Sequence, residues 1–410
     1  MESNLNLNTL LYPIDTPDDF RTGGLMYESI LDFRIHEFLF IGLYFFLFIF
    51  FVKKIINTEK MNKYEVYFII SYHYIFIILS FLYSLLNVND TDSFFQSAYF
   101  FGEVFQDNFH SNHNMVNVYY FLIYYLNLHY FTSYIFMGFF SSVGFVLIYL
   151  VLCKITEGSN INRKILLVLI LFPSWHFFTA FPSKDSIVLF AISWFYYFLI
   201  KKKNYHLIIP LAIIYAVRPH ISLIMLFSII FLIMNFFFLK RFKKKLYVFL
   251  CFCGLILLMF LFIITFLPSY YDYLITFFEK GQTFRNLYSN YYDGWYSTGN
   301  NPLINSLRYM FFPIADFGSI SRILISIENS LLLVIILTSI INFDLKSSIE
   351  TFSRGKIFYL FSLMFFLSGS IILSNYTANI GISSRQKWML IPSLFIMITP
   401  LVTKFRTFKV

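Results

Sequence analysis

Residues 165–200 read ILLVLILFPSWHFFTAFPSKDSIVLFAISWFYYFLI. Two apolar runs, 165–181 and 187–200, meet at the five residues PSKDS, 182–186. Both runs are continuous rather than alternating, which reads as helix and not as half-buried strand. Runs of this kind recur along the whole 410-residue chain, too many for one buried core. The chain is 58% hydrophobic, 22% aromatic and only 13% charged, whereas a soluble domain carries about 25% charged residues. A spanning helix needs about 20 mainly apolar residues, and in lipid only helices and closed barrels satisfy their own backbone. The sequence therefore predicts an all-α, polytopic integral membrane protein. It forms one membrane domain over 1–410, with expected spans at 37–53, 65–86, 131–153, 165–181, 187–200, 205–217, 221–239, 246–268, 329–343, 357–374 and 387–403.

Basic residues set the expected orientation. Segments 53–64, 154–164, 201–203, 240–245, 346–356 and 404–410 hold 21 of the 31 Lys and Arg. By the positive-inside rule these segments are cytoplasmic, and 17 of the 22 acids then fall on the opposite side. The N-terminus is expected outside and the C-terminus inside. The net charge of +9 is explained by anchoring to anionic lipid, so no nucleic-acid partner is implied. Two large external segments result, 87–130 and 269–328. The first contains no Lys or Arg, and its apolar piece 117–128 is too short to span, which predicts an interfacial or re-entrant helix. The opening 24 residues lack the basic and apolar regions of a cleavable signal peptide. Cys153, Cys251 and Cys253 read as apolar packing residues.

Cations on the external side run against the topology rule and so carry information. Lys184 and Asp185 open the run at 187. Asp185 suits the positive end of a helix dipole, whereas Lys184 is repelled by it. Lys184 therefore either pairs with Asp185 or faces an anionic ligand. Arg218 ends one apolar run in AVRPHIS, 216–222, and Pro219 starts the next at a position suited to a first helical turn. His220 is either a packed histidine or a proton carrier. Arg385 in NIGISSRQKW, 379–388, stands just outside the last expected span and Lys387 at its first position, where Lys387 and Trp388 suit an interface anchor. The loop 269–328 mixes Tyr, Trp, Asn and Asp with Arg285, Arg308 and Arg322. Such amphipathic rings and hydrogen-bonding groups match the faces and hydroxyls of sugars. Helical stretches are expected near 270–280 and 302–311. Asp90 and Asp92 open the other external segment, as helix caps or as a carboxylate pair. Walker, zinc and dinucleotide motifs are absent from the sequence, so no cofactor and no metal is expected. His110 and His113 lack a further ligand set.

The order of these motifs resembles the bacterial polysaccharide repeat-unit polymerases of the Wzy type. It runs from the early external Asp segment through FPS…PSKDS, RPHIS and an aromatic loop ending NSLRYMFFPI…SIEN to NIGISSRQKW. The plan is also similar to GT-C membrane glycosyltransferases. The resemblance covers roughly 65–400. It implies an inner-membrane enzyme of polysaccharide biosynthesis, for O-antigen of lipopolysaccharide or for capsule. Such an enzyme transfers a growing glycan from undecaprenyl pyrophosphate to the next lipid-linked repeat unit at the periplasmic face. A chain-length-regulating co-polymerase is an implied partner beside membrane lipids. On this reading Lys184, Arg218, Arg285, Arg308 and Arg385 bind the anionic lipid-linked substrate, because planar guanidinium forks match phosphate oxygens. Asp92 is ranked first as general base, with His220 behind it, and Asp185 is assigned to positioning. Two other classes fit the sequence. A GT-C transferase using a polyprenyl-phosphate sugar would depend on the first-loop acids, and a lipid-linked oligosaccharide flippase would bind near the midplane.

Overall fold

A computed structural model describes residues 35–86, 90–101, 111–128, 130–157, 163–240, 302–314, 320–341, 356–376 and 380–402. The expected span 246–268, the stretch 270–280, Lys280 and Arg285 lie outside the described residues. Among the described residues there is no strand. These described residues form fourteen α-helices, in order: α1 Ile35–Glu59, α2 Lys63–Leu86, α3 Asp90–Phe101, α4 Ser111–Tyr120, α5 Tyr130–Ile155, α6 Arg163–Ile170, α7 Pro173–Ala180, α8 Lys184–Ile200, α9 Ile208–Val217, α10 Pro219–Lys240, α11 Pro302–Phe311, α12 Ile320–Ile341, α13 Lys356–Tyr376 and α14 Ile380–Val402. A π-helical turn, Phe121–Tyr125, continues α4, and a 3-10 turn, Asn204–Leu207, precedes α9. The segment 87–130, expected to be external, thus contains the short helix expected at 117–128, begun earlier, and the helix expected near 302–311 is α11.

Among the described residues, five helices are long and apolar enough to cross a membrane: Glu37–Glu59, Lys63–Leu85, Tyr130–Ile155, Arg322–Ile341 and Ile357–Ser374. The pair α6 and α7, bent by 48°, makes a sixth if it counts as one broken span. The expected spans 187–200, 205–217, 221–239 and 387–403 are helical as α8, α9, α10 and α14 but do not add to that number. α5 is the buried centre. α1 is peripheral and exposes Phe38, Leu39, Leu43, Phe46, Leu47 and Phe50. Such a face is at home in hydrocarbon and not in water.

Prolines cut the helices where the site needs a bend. Phe172 is extended (φ −61°, ψ 116°) before Pro173, the first residue of α7, because a residue preceding proline is pushed out of the helical region. The same chemistry breaks the chain between α9 and α10 at Arg218 (φ −142°, ψ 77°) before Pro219. Across the centre, α8 packs most extensively on α5. Gly144 of α5 makes that approach possible: a Cβ there would meet Phe190 backbone atoms at 3.1 Å, and small residues are what let membrane helices come this close.

Candidate functional site

The junction PSKDS folds as a cap. Ser183 is extended and its Oγ accepts from Asp185 N–H at 3.3 Å, while Ser186 Oγ donates to Ser183 O at 2.7 Å. These bonds occupy groups that a helix start otherwise leaves unpaired. They also fix Asp185 in the first turn of α8, where the helix dipole favours an anion. Arg218 is held by its backbone on both sides. Its N–H donates to Ile214 O at 2.6 Å, and its carbonyl accepts from Ile221 and Ser222 N–H at 3.0 and 3.3 Å. It closes α9 and opens α10.

Three distant stretches converge here. Asp185, 2% exposed, accepts from Arg218 Nη2 at 2.5 Å on one oxygen and from Arg385 Nε at 2.9 Å on the other. Arg385 comes from the second turn of α14. The two guanidinium side chains are 13% and 27% exposed, so burial falls from the carboxylate outward. Arg218 Nε is buried without a hydrogen-bond partner. One carboxylate between two guanidinium groups leaves the cluster net positive, and each guanidinium carries five donors in a rigid fork. An anion with several oxygens is the ligand such a cluster suits.

Lys184 does not pair with Asp185. Its Nζ lies 5.6 Å from the ring centroid of Phe94 on α3, a cation–π contact. Helix α4, on which α3 packs, is tied to this end of the bundle by two bonds. Tyr119 Oη donates to Pro182 O at 2.7 Å, and Asn114 Nδ2 donates to Ala216 O at 2.6 Å.

Asp92 lies in the first turn of α3, which begins at Asp90, and is 2% exposed. Its carboxylate accepts from Tyr130 Oη. Tyr130 and Tyr134 share a hydroxyl contact of 3.1 Å, and Phe95 sits edge-on to Tyr119 and Tyr130. This carboxylate is enclosed by phenols rather than presented beside the arginines. His220, in the first turn of α10, follows Arg218 by two residues and is half-buried. Arg308 stands half-buried in the last turn of α11, a helix that packs mainly on α13, and takes no part in the ion pairs of Asp185.

Lys387 corrects the sequence reading. α14 starts at Ile380, so Lys387 lies inside the helix, 1% exposed, and not at an interface. Its Nζ donates to Asn329 Oδ1 and lies 5.5 Å from the Trp388 ring. Next to Asn329, Glu328 accepts from Ser174 N–H at 2.6 Å and from Ser174 Oγ–H. Trp175 stacks on Trp388 with centroids 5.7 Å apart. Ser174 lies in the FPS motif and Glu328 and Asn329 in the SIEN motif of the resemblance, but the sequence assigned none of them a role. The signal was present, a carboxylate nine residues into the helix that begins at Ile320, since ionisable groups within apolar helices are rarely idle.

A third buried group holds the α6–α7 break. His176 Nε2 bonds Ile170 O at 2.9 Å, its Nδ1 meets His73 Nδ1 at 3.0 Å, and His73 Nε2 meets Ser141 Oγ at 2.7 Å. A carbonyl only accepts, so with both rings neutral His176 carries its proton on Nε2, His73 carries its own on Nδ1, and Ser141 donates. Among the described residues no three His, Cys, Asp or Glu groups are placed to hold a metal.

No protein-family model, no curated protein and no solved structure matches this chain.

Proposed function

We propose that the protein is a glycosyltransferase that polymerises undecaprenyl-pyrophosphate-linked oligosaccharide repeat units at the external face of a bacterial inner membrane, within an eleven-span topology. The observation that carries this reading is the convergence of Arg218 and Arg385 on Asp185. Two forks from sequence-distant helices meet at one mouth, at the end of the bundle that the positive-inside rule puts outside. In the reaction the bond between the terminal sugar carbon and the pyrophosphate oxygen breaks. The same carbon bonds to a hydroxyl oxygen of the acceptor unit, whose proton passes to a base, and lipid pyrophosphate leaves as an anion. Arg218 and Arg385 hold that leaving anion, with Lys184 at the rim. Asp185 orients both forks, and Asp92 is the candidate base, reached by displacing Tyr130 from its carboxylate.

The test is the surface glycan of a deletion strain carrying variants at normal protein level. Deletion is expected to leave single repeat units without long chains, and Arg218→Ala and Arg385→Ala to reproduce that profile. Full-length chains from both variants sink the proposal. Loss of all repeat units on deletion points to a GT-C transferase or a flippase instead. One observation favours the flippase as second reading: one span is broken, where α6 and α7 bend by 48° at Phe172, as in carriers whose half-helix ends line a midplane site.

A further inference from the structure

Glu328 and Asn329 are neighbours on α12, yet they hold two different arms of the arginine site. Glu328 takes both donors of Ser174, at the start of α7, on the arm that runs through Pro182 and Ser183 to Asp185. Asn329 takes the ammonium of Lys387, two residues beyond Arg385 on α14. Its amide nitrogen also donates to Pro313 O at 2.9 Å, which secures the dipeptide from a third side. Two residues along an α-helix turn the side-chain direction by about 200°. Lys387 therefore leaves α14 on nearly the opposite side from Arg385 and does not compete for Asp185. A slip of α14 by one residue would carry Lys387 about 1.5 Å along the axis and draw Arg385 off its carboxylate by the same step.

This arrangement is costly. Glu328 is 3% exposed and Lys387 1%. Burying charged groups in hydrocarbon-facing helices is unfavourable, and apolar residues of similar volume would pack α12 on α14 without that cost. Apolar surfaces slide, whereas a hydrogen-bonded charge has one register. We propose that the Glu328–Asn329 pair is a positioning clamp that sets the register of the Arg385 arm against the Asp185 arm. The clamp acts through Ser174 on one arm and Lys387 on the other, and neither partner touches the ligand. Its consequence for anion binding rests on the function proposed above; the clamp itself does not.

Hydrogen–deuterium exchange on the purified full-length protein in detergent tests it. Lys387→Met is expected to speed exchange of amides 183–188 by about tenfold, the scale of losing one hydrogen bond to a charged group. Exchange in α1 and α2 should stay unchanged, and Lys387→Arg should restore protection. In an Arg385→Lys background, Lys387→Met is expected to add nothing at 183–188, because the coupling runs through Arg385. Unchanged exchange at 183–188, an equal rise in α1 and α2, or additive effects in the two backgrounds overturns the clamp. If Lys387→Met does not fold, Asn329→Ala is read in the same way against Asn329→Asp, which keeps the acceptor. Titration with inorganic pyrophosphate separates the two claims. Exchange coupling with an affinity indifferent to Arg218→Ala leaves the clamp standing and removes the pyrophosphate reading. Pyrophosphate binding lost in Arg218→Ala, with no exchange coupling, does the reverse.

Discussion

Each end of the bundle holds one buried carboxylate between two cations from other helices. At one end Glu59, the last residue of α1, receives Lys201 at 2.8 Å, Lys154 at 3.1 Å and the hydroxyl of Tyr197 at 2.7 Å. At the other, Asp185 receives Arg218 and Arg385. The side chains of Glu59 and Asp185 are both 2% exposed, but the lysines are about a third exposed, 31% and 32%, against 13% for Arg218 and 27% for Arg385. A lysine brings a point charge on a flexible stem and stays hydrated; an arginine brings a planar fork with donors to spare. Lys154 and Lys201 close helix ends, where cations suit the dipole. The lysine end is a tie between helices. The arginine end has the same plan, with rigid planar forks in place of flexible point charges.

The contrast breaks first at Asp185. Replacing it by Ala leaves two partly buried guanidinium groups without their anion, and removing one partner of a buried pair costs roughly 3–5 kcal/mol. A clear fall in the melting temperature in detergent is expected, together with loss of long-chain glycan. An unchanged melting temperature would mean that the two ends do not differ as described. Next comes the fork itself. Arg385→Lys keeps charge but loses geometry, and a hydrogen bond to a charged group is worth about 1.5–3 kcal/mol. Chain extension in a reconstituted assay should then fall about tenfold or more, whereas Lys201→Arg at the other end should pass unnoticed. Equal effects of the two swaps would remove the distinction between tie and site.

A third comparison concerns Asp92. Tyr130→Phe removes the phenol donor and leaves a buried acceptor, a loss of about 1–3 kcal/mol, read as a lower melting temperature. If Asp92 is the base, the same change should leave chain extension intact or faster, while Asp92→Asn should slow it by about 100-fold or more. The smallest effect is expected for Glu59→Gln. Pairs with solvated lysines contribute roughly 1 kcal/mol or less, and raising salt should reduce that difference further. A salt-insensitive loss there would place the lysine end in the same class as the arginine end.

Much of this was legible in the chain. Continuous apolar runs placed most helices, because lipid leaves the backbone no alternative. Pro219 after Arg218 announced a helix break, and cations at the less basic side singled out Arg218 and Arg385. The convergence of those two on Asp185 was not legible, since nothing local links positions so distant. Lys184 beside Asp185 invited a local pair, and tertiary contacts gave Asp185 to the arginines instead. The last expected span begins at 387 and the one before α13 at 329, which puts Lys387 and Asn329 at first positions and Glu328 just outside. The structure starts them at 380 and 320, and Lys387, Glu328 and Asn329 fall inside. Their partners lie on other helices, so each looked like a boundary residue.

α8 has a further consequence. It starts at Lys184 and ends at Ile200, with Lys201 as its C-cap, so a single rod of about 25 Å has one ionic knot at its head and the other at its foot. Gly144 touches that rod between the two, in the manner of a fulcrum. A methyl group added at Gly144 would meet Phe190 backbone atoms at 3.1 Å, so a shift of the rod at that point is carried to both knots. The mouth of the protein and its far surface are therefore joined mechanically by one stiff helix.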